Sequence, residues 1–165
     1  MNNVVEIDFR RHSRKETVVG YPAMQVANAL IKASNYSLSP MKLQKLMYFA
    51  DGWVLALTGY KLINEKFEAW EYGPVIRHVY EEFSAFGGRE IDKTTATQPE
   101  EIHEEGTVRL INTILEKYGS YSAITLSQMT HEKDSPWDIS WKKGKNTVIS
   151  PEEMKSYFSK MTDHG

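Results

Sequence analysis

Apolar side chains recur three and four positions apart in seven stretches of this chain, and six of the seven open at a proline. That spacing lines one side of a helix. A proline suits a helix's first turn because its φ is already helical and an N–H there would have no intrahelical partner. Pro22 precedes Ala23, Val26, Ala27, Leu30 and Ile31. Ser39-Pro40 opens a helix expected to reach Thr58, with Gly59 after its end. Pro74 opens a third, to about Phe86, stopped by Gly87-Gly88. Pro99-Glu100-Glu101 opens a fourth, ending near Tyr118-Gly119, and Ser135-Pro136 a short one. Ser150-Pro151-Glu152-Glu153 has the form of a capping box before the last. A further helix, from about Ser122 to His131, starts without proline.

The expected fold is therefore mainly α: a single-domain bundle of about seven helices around a central buried helix over 40–58. A small β-ribbon is expected near 67–72, with further short strand candidates at 89–92 and 147–149. The central helix carries Leu43, Leu46, Met47, Ala50, Val54 and Leu57 on one face, and Tyr48, Phe49, Trp53 and Leu55 on much of the rest. A helix apolar on nearly all sides is buried among others. Gly52 inside it costs about 1 kcal/mol relative to Ala, which points to a close helix crossing. The third helix sets Val75, Val79, Phe83 and Phe86 on one side. The fourth uses Val108, Ile111, Leu115 and Tyr118, with Leu110 and Ile114 beside them. The last uses Met154, Tyr157, Phe158 and Met161.

Between the second and third helices runs Glu68-Ala69-Trp70-Glu71-Tyr72-Gly73-Pro74-Val75. The alternation from Phe67 to Tyr72 suits a short strand. Gly73 permits a turn that a Cβ would resist. The segment reads as strand, sharp corner and new helix, with Trp70 and Tyr72 at the corner. Trp70, Tyr72, Trp137 and Trp141 either bury against helix faces or form a partly exposed aromatic patch of the kind that anchors protein interfaces. Arg77, in the first turn after Pro74, is either solvated or beside that patch.

Composition narrows the chemistry. The chain has 165 residues, enough for one domain, and 41% of them are hydrophobic, enough for a core. A net charge of −2 argues against a protein built to coat nucleic acid. There is no cysteine, which removes disulfides, thiol catalysis and Cys-based zinc sites. No apolar run approaches the roughly 20 residues that span a membrane, and Met1 to Arg11 lacks the apolar segment of a signal peptide. A cytoplasmic setting is expected. Residues 1–20 differ from the rest: Val4, Ile7 and Phe9 alternate weakly, then Arg10, Arg11, Arg14 and Lys15 crowd together. They read as a basic tail or a docking segment, ahead of a helical domain over 21–162.

His12, His78, His103, His131 and His164 show no metal-ligand spacing, and His103-Glu104-Glu105 has no second histidine at the turn a zinc motif needs. No metal and no cofactor is expected. Glu100, Glu101, Glu104 and Glu105 suit a helix N-terminus, where the dipole favours negative charge. There is no Gly-rich phosphate loop and no Gly-x-Ser-x-Gly elbow. A hydrolase would need a carboxylate–His pair such as Glu71–His78 or Asp51–His131.

Lys42-Leu43-Gln44-Lys45-Leu46-Met47-Tyr48-Phe49-Ala50, together with Glu68-Ala69-Trp70-Glu71-Tyr72-Gly73-Pro74-Val75, resembles the Panacea, or SocA-like, antitoxin domain. Leu126-Ser127-Gln128-Met129-Thr130-His131 followed by Ser135-Pro136-Trp137 resembles that domain's later element. The similarity runs from about Tyr21 to Met161. It implies a mostly helical, non-enzymatic domain that neutralises a cognate toxin by direct contact, the toxin often being encoded next door. One branch of the family acts as a proteolytic adaptor that delivers its toxin to the ClpXP protease. Other members occur on phage and mobile elements, so a regulator that binds a host protein is the alternative. Many members add a DNA-binding domain; none is expected here, so binding to an operator is not expected either. The family has no catalytic set to carry over. The partner-binding residues expected here are Trp70, Tyr72, Gly73, Pro74, Arg77 and Trp137.

Overall fold

The computed structural model of the protein describes residues 20–94 and 100–162. The basic segment over 1–20 lies outside the described residues except for Gly20, and so does Pro99. Seven helices are present among the described residues: α1 (Ala23–Ala33), α2 (Pro40–Thr58), α3 (Arg77–Phe83), α4 (Glu105–Tyr118), α5 (Ala123–Thr130), α6 (Pro136–Lys143) and α7 (Pro151–Thr162). A two-stranded antiparallel hairpin, β1 (Glu68–Trp70) and β2 (Gly73–Val75), separates α2 from α3.

α2 is the centre. Fourteen of its nineteen residues are buried, and α1, α3, α4, α5, α7 and β2 all pack on it. Ser39 caps it by accepting from the Lys42 N–H at 3.3 Å. Gly52 is where α7 crosses: a Cβ there would overlap the Phe158 ring. Phe158 in turn sits edge-on to Tyr48, Phe49 and Trp53 at centroid distances of 5.6, 6.2 and 5.4 Å. Such aromatic pairs add about 0.5–1.5 kcal/mol each beyond the area they bury. Trp53 Nε1 donates to the Tyr118 hydroxyl at 2.8 Å and ties α4 into the same cluster. Leu57 and Val108, assigned by spacing to apolar faces, are 38% exposed.

Three elements differ from the sequence reading. Pro74 does not open a helix: it lies in β2, opposite Ala69, and α3 starts at Arg77. Ala69 turns its own N–H and carbonyl the other way, to Thr147 and Asn146 at 2.8 and 2.9 Å, so the missing proline N–H breaks no ladder bond. The fourth helix starts at Glu105 instead of Pro99. The Glu104 carboxylate accepts from the Gly106 and Thr107 N–H groups, both at 2.8 Å, and so satisfies two of the donors a helix start leaves open. Residues 89–92 form no strand. Arg89 N–H bonds the Phe86 carbonyl in a local turn at 3.0 Å, Ile91 N–H bonds the Leu38 carbonyl at 2.8 Å, and the buried Ile91 side chain does the anchoring.

The 147–149 candidate meets the hairpin as a single antiparallel bridge, Val148 to Glu68, flanked by Ile149 N–H to the Phe67 carbonyl at 2.8 Å. The strand expected over 67–72 is shorter than its alternation suggested, because Glu71 and Tyr72 form the turn.

Candidate functional site

The hairpin reverses over Glu71 and Tyr72, and Gly73 follows with φ +112°, a value that L side chains rarely adopt. A Cβ at Gly73 would also meet Lys45 Cε at 2.6 Å and Thr130 Oγ1 at 2.8 Å. The turn therefore sits hard against α2 and α5. Four side chains then lock its main chain. Ser127 Oγ donates to the Tyr72 carbonyl at 2.7 Å. Trp137 Nε1 donates to the Trp70 carbonyl at 2.6 Å. Lys45 Nζ donates to the Pro74 carbonyl at 2.8 Å. The Gln44 amide accepts from the Ile76 N–H at 2.9 Å and donates to its carbonyl at 3.2 Å. Each of these bonds joins parts of the chain at least 29 residues apart.

A backbone held this firmly presents its side chains in fixed positions. Tyr72 stands out at 61% exposed. Trp70 is half-buried, with the Tyr80 ring edge-on at 5.0 Å and the Arg77 guanidinium 5.1 Å above its face. Arg77 also pairs with Glu68 at 2.8 Å, so its charge is matched on the spot. Between the hairpin, the start of α2 and α3 lies an open groove of about 520 Å³. Its wall is mainly apolar, from Met41, Val75, Tyr80, Trp141 and the rings of Trp70 and Tyr72. Its charges are Lys45, Lys145 and Glu71.

Lys45 is 1% exposed and meets a carbonyl instead of a carboxylate, so burial lowers its pKa from 10.5 to about 7. His131 lies close by, stacked on Trp137 at 3.8 Å. Burial and the neighbouring Lys45 charge hold its pKa below the ordinary histidine range. Lys45 meets the Pro74 carbonyl, and at His131 the Asp138 carboxylate acts in the opposite, raising sense but is outweighed by burial and Lys45.

The six expected partner residues separate into two sets. Trp70, Tyr72 and Arg77 reach the surface. Gly73, Pro74 and Trp137 are buried, the first two within β2 and Trp137 behind it, bonded to the Trp70 carbonyl. The two carboxylate–His pairs do not form. His78 meets Glu65 at 3.1 Å, while Asp51 bonds Lys61 and the N–H groups of Leu62 and Ile63. Among the described residues, no three metal-ligating side chains converge, and no helix is long and apolar enough to cross a membrane. Gln44, Lys45 and Ser127 lie in the motif segments that carry the family resemblance but outside the six expected partner residues, and Tyr80 is in neither set. The available signal for the first two was their place as polar residues inside a helix apolar all round.

The stretch from residue 43 to residue 138 matches the family model described as "Antitoxin SocA-like, Panacea domain". That stretch contains all four side chains that lock the hairpin. The chain is also 37% identical over 134 residues to "Antitoxin SocA" of Caulobacter vibrioides (strain NA1000 / CB15N), covering 71% of this chain and 69% of that protein. No solved structure matches the chain. The matched stretch spans more than half of the chain, and the relative covers more than two-thirds of it: the chain belongs to the SocA-like antitoxin family and carries its Panacea domain.

Proposed function

We propose that the protein neutralises a cognate toxin by direct contact, and that the grip is the aromatic hairpin with the groove beside it. The observation that carries this reading is a surface prepared before binding. A partner meeting Tyr72 and Trp70 need not order the loop that bears them, so less of the interaction is spent on entropy. Trp70, Tyr72 and Arg77 are the contact residues, and Gly73, Pro74 and Trp137 keep them in place. Stable interfaces bury about 1,200–2,000 Å² in total, which the hairpin, the groove and the neighbouring helix surfaces supply together. The toxin is the product of the adjacent gene. Neutralisation proceeds either by covering the toxin's active surface or by delivering it to ClpXP. The protein acts here as a binding module, with no step of covalent chemistry.

Co-expression with the neighbouring gene tests the reading. Relief of growth arrest is expected, and Tyr72→Ala is expected to weaken capture of the toxin by about 2 kcal/mol or more, roughly 30-fold. Full relief by Tyr72→Ala and Trp70→Ala variants of normal stability would move the grip elsewhere. Following the toxin's level in cells with and without ClpXP separates delivery, which lowers it, from covering, which leaves it unchanged.

A further inference from the structure

Two of the side chains behind the hairpin can take up a proton, and neither is equipped to hold the charge. Lys45 lines the groove and yet is only 1% exposed. The turn lies directly on it, since a Cβ at Gly73 would meet Lys45 Cε at 2.6 Å and Cδ at 3.3 Å. Its ammonium has three donors. Among the described residues one acceptor meets them, the Pro74 carbonyl at 2.8 Å. His131 follows Thr130, whose Oγ1 lies 2.8 Å from the same Gly73 position. Its Nε2 is buried without a hydrogen-bond partner among the described residues. A charged imidazole has a donor at both nitrogens, so Nε2 would then be a buried donor with no acceptor. The ring stacks on Trp137, which holds the Trp70 carbonyl.

The surrounding charges do not compensate the pair. Glu71 and Lys145 line the groove with opposite signs, beside the phenols of Tyr72 and Tyr80. On α6, Asp138 favours the charged ring but is shared with Lys142 and the Asp134 N–H, both at 2.9 Å. On β1, Glu68 pairs with Arg77. On α2, Lys42 donates to the Gly119 carbonyl and Asp51 is held by Lys61. Among the described residues no carboxylate forms an ion pair with Lys45 or His131. Each of the two cations disfavours the other.

We propose that the hairpin is an acid-sensitive clasp: charging Lys45, and then His131, releases it from its clamps on α2, α5 and α6 while the helices stay packed. The inference goes beyond the toxin reading and concerns the free chain; that acid loosens the grip on a toxin follows where both hold. A lysine that keeps its proton to 10.5 when solvated and only to about 7 when covered favours release about tenfold more at pH 6 than at pH 8, levelling off below pH 7. His131, held low by burial and by Lys45, adds to this below about pH 6.5.

Two indole N–H groups make the test internal to one molecule. Trp137 Nε1–H is a clamp on the hairpin, and Trp53 Nε1–H, bonded to the Tyr118 hydroxyl, reports the core. Hydrogen exchange of both, and of the Ile76 amide that Gln44 holds, is followed by NMR on the whole chain and corrected for intrinsic rates. Protection at Trp137 and Ile76 is expected to fall about tenfold from pH 8 to pH 6. It is expected to stay unchanged in about 1 M urea, because a lifted hairpin exposes little surface, while Trp53 loses protection there. Lys45→Met is expected to leave only the part that His131 adds. Protection at Trp137 and Ile76 that is flat between pH 8 and pH 6 would overturn the proposal. So would a fall that shares the urea dependence of Trp53, which is global unfolding, or one that persists in full in Lys45→Met. Should that variant fail to fold, the pH and urea dependence of the wild-type chain decides alone. No partner is needed, so either result leaves the toxin reading standing.

Discussion

Asp51 and Lys45 lie on the same helix, under two turns apart, and both are buried, yet their surroundings treat them in opposite ways. Asp51 is met by the Lys61 ammonium and by two backbone N–H groups, those of Leu62 and Ile63 at 2.9 and 3.1 Å. Its side chain is 0% exposed, and it pins the loop after α2 as a joint with every partner present. Burial still outweighs those partners and holds the carboxyl above its ordinary range. Lys45 meets one carbonyl, Pro74, and no carboxylate. A carbonyl dipole offsets less of the desolvation than an opposite charge does, so the ammonium form is disfavoured until the pH falls to about 7. The Asp51 end of α2 is built to close a loop. The Lys45 end holds a hairpin whose other side is open to a groove.

The largest effect is expected where the most partners converge. Asp51→Ala leaves two buried N–H groups and a half-buried ammonium without their acceptor, and should lower stability by about 3–5 kcal/mol in urea unfolding. A loss below 1 kcal/mol would mean that the loop holds itself. At the hairpin end, Gly73→Ala should cost about 1–3 kcal/mol, because the new methyl meets Lys45 and Thr130 at a positive φ.

Lys45→Met sharpens the comparison through pH. The unfolded lysine keeps its proton to about 10.5 and the folded one only to about 7. Between those values the unfolded chain binds more protons, so wild-type stability should rise from pH 7 to pH 9.5. That rise should vanish in Lys45→Met, with stability at pH 7 unchanged or improved, since an apolar side chain of similar volume replaces a poorly compensated charge. A wild-type profile flat over the same interval would contradict the account of Lys45.

Smaller changes are expected at the hairpin's remaining supports. Trp137→Phe removes one bond to the Trp70 carbonyl and should cost about 1 kcal/mol. Tyr72→Ala, at 61% exposed, should change stability by no more than about 0.5 kcal/mol, whatever it does to partner affinity. A thermal shift for Tyr72→Ala as large as that for Trp137→Phe would place Tyr72 among the supports.

The spacing of apolar residues, the prolines and the caps made five of the seven helices legible to within a residue or two at their starts, as with Ser39 before α2 and Ser122 before α5. Gly52 was legible as a close crossing, because a glycine inside a strong helix needs a packing reason. The exceptions were the start at Pro99, moved by the Glu104 cap, and the start at Pro74. Proline's fixed φ suits the first turn of a helix and a strand position without a ladder N–H alike. Local preference does not choose between them.

What the amino-acid order determined unaided was therefore local: where helices begin and end, which helix lies at the centre, and the motif that marks the family. Each of these is written within a turn or two of backbone. The tertiary structure decided that Pro74 pairs with Ala69, that Trp137 turns inward while Tyr72 turns outward, and that Lys45 is sealed beneath the hairpin. The bonds responsible join residues from 29 to 67 positions apart, and a contact of that span exists only once the helices have packed.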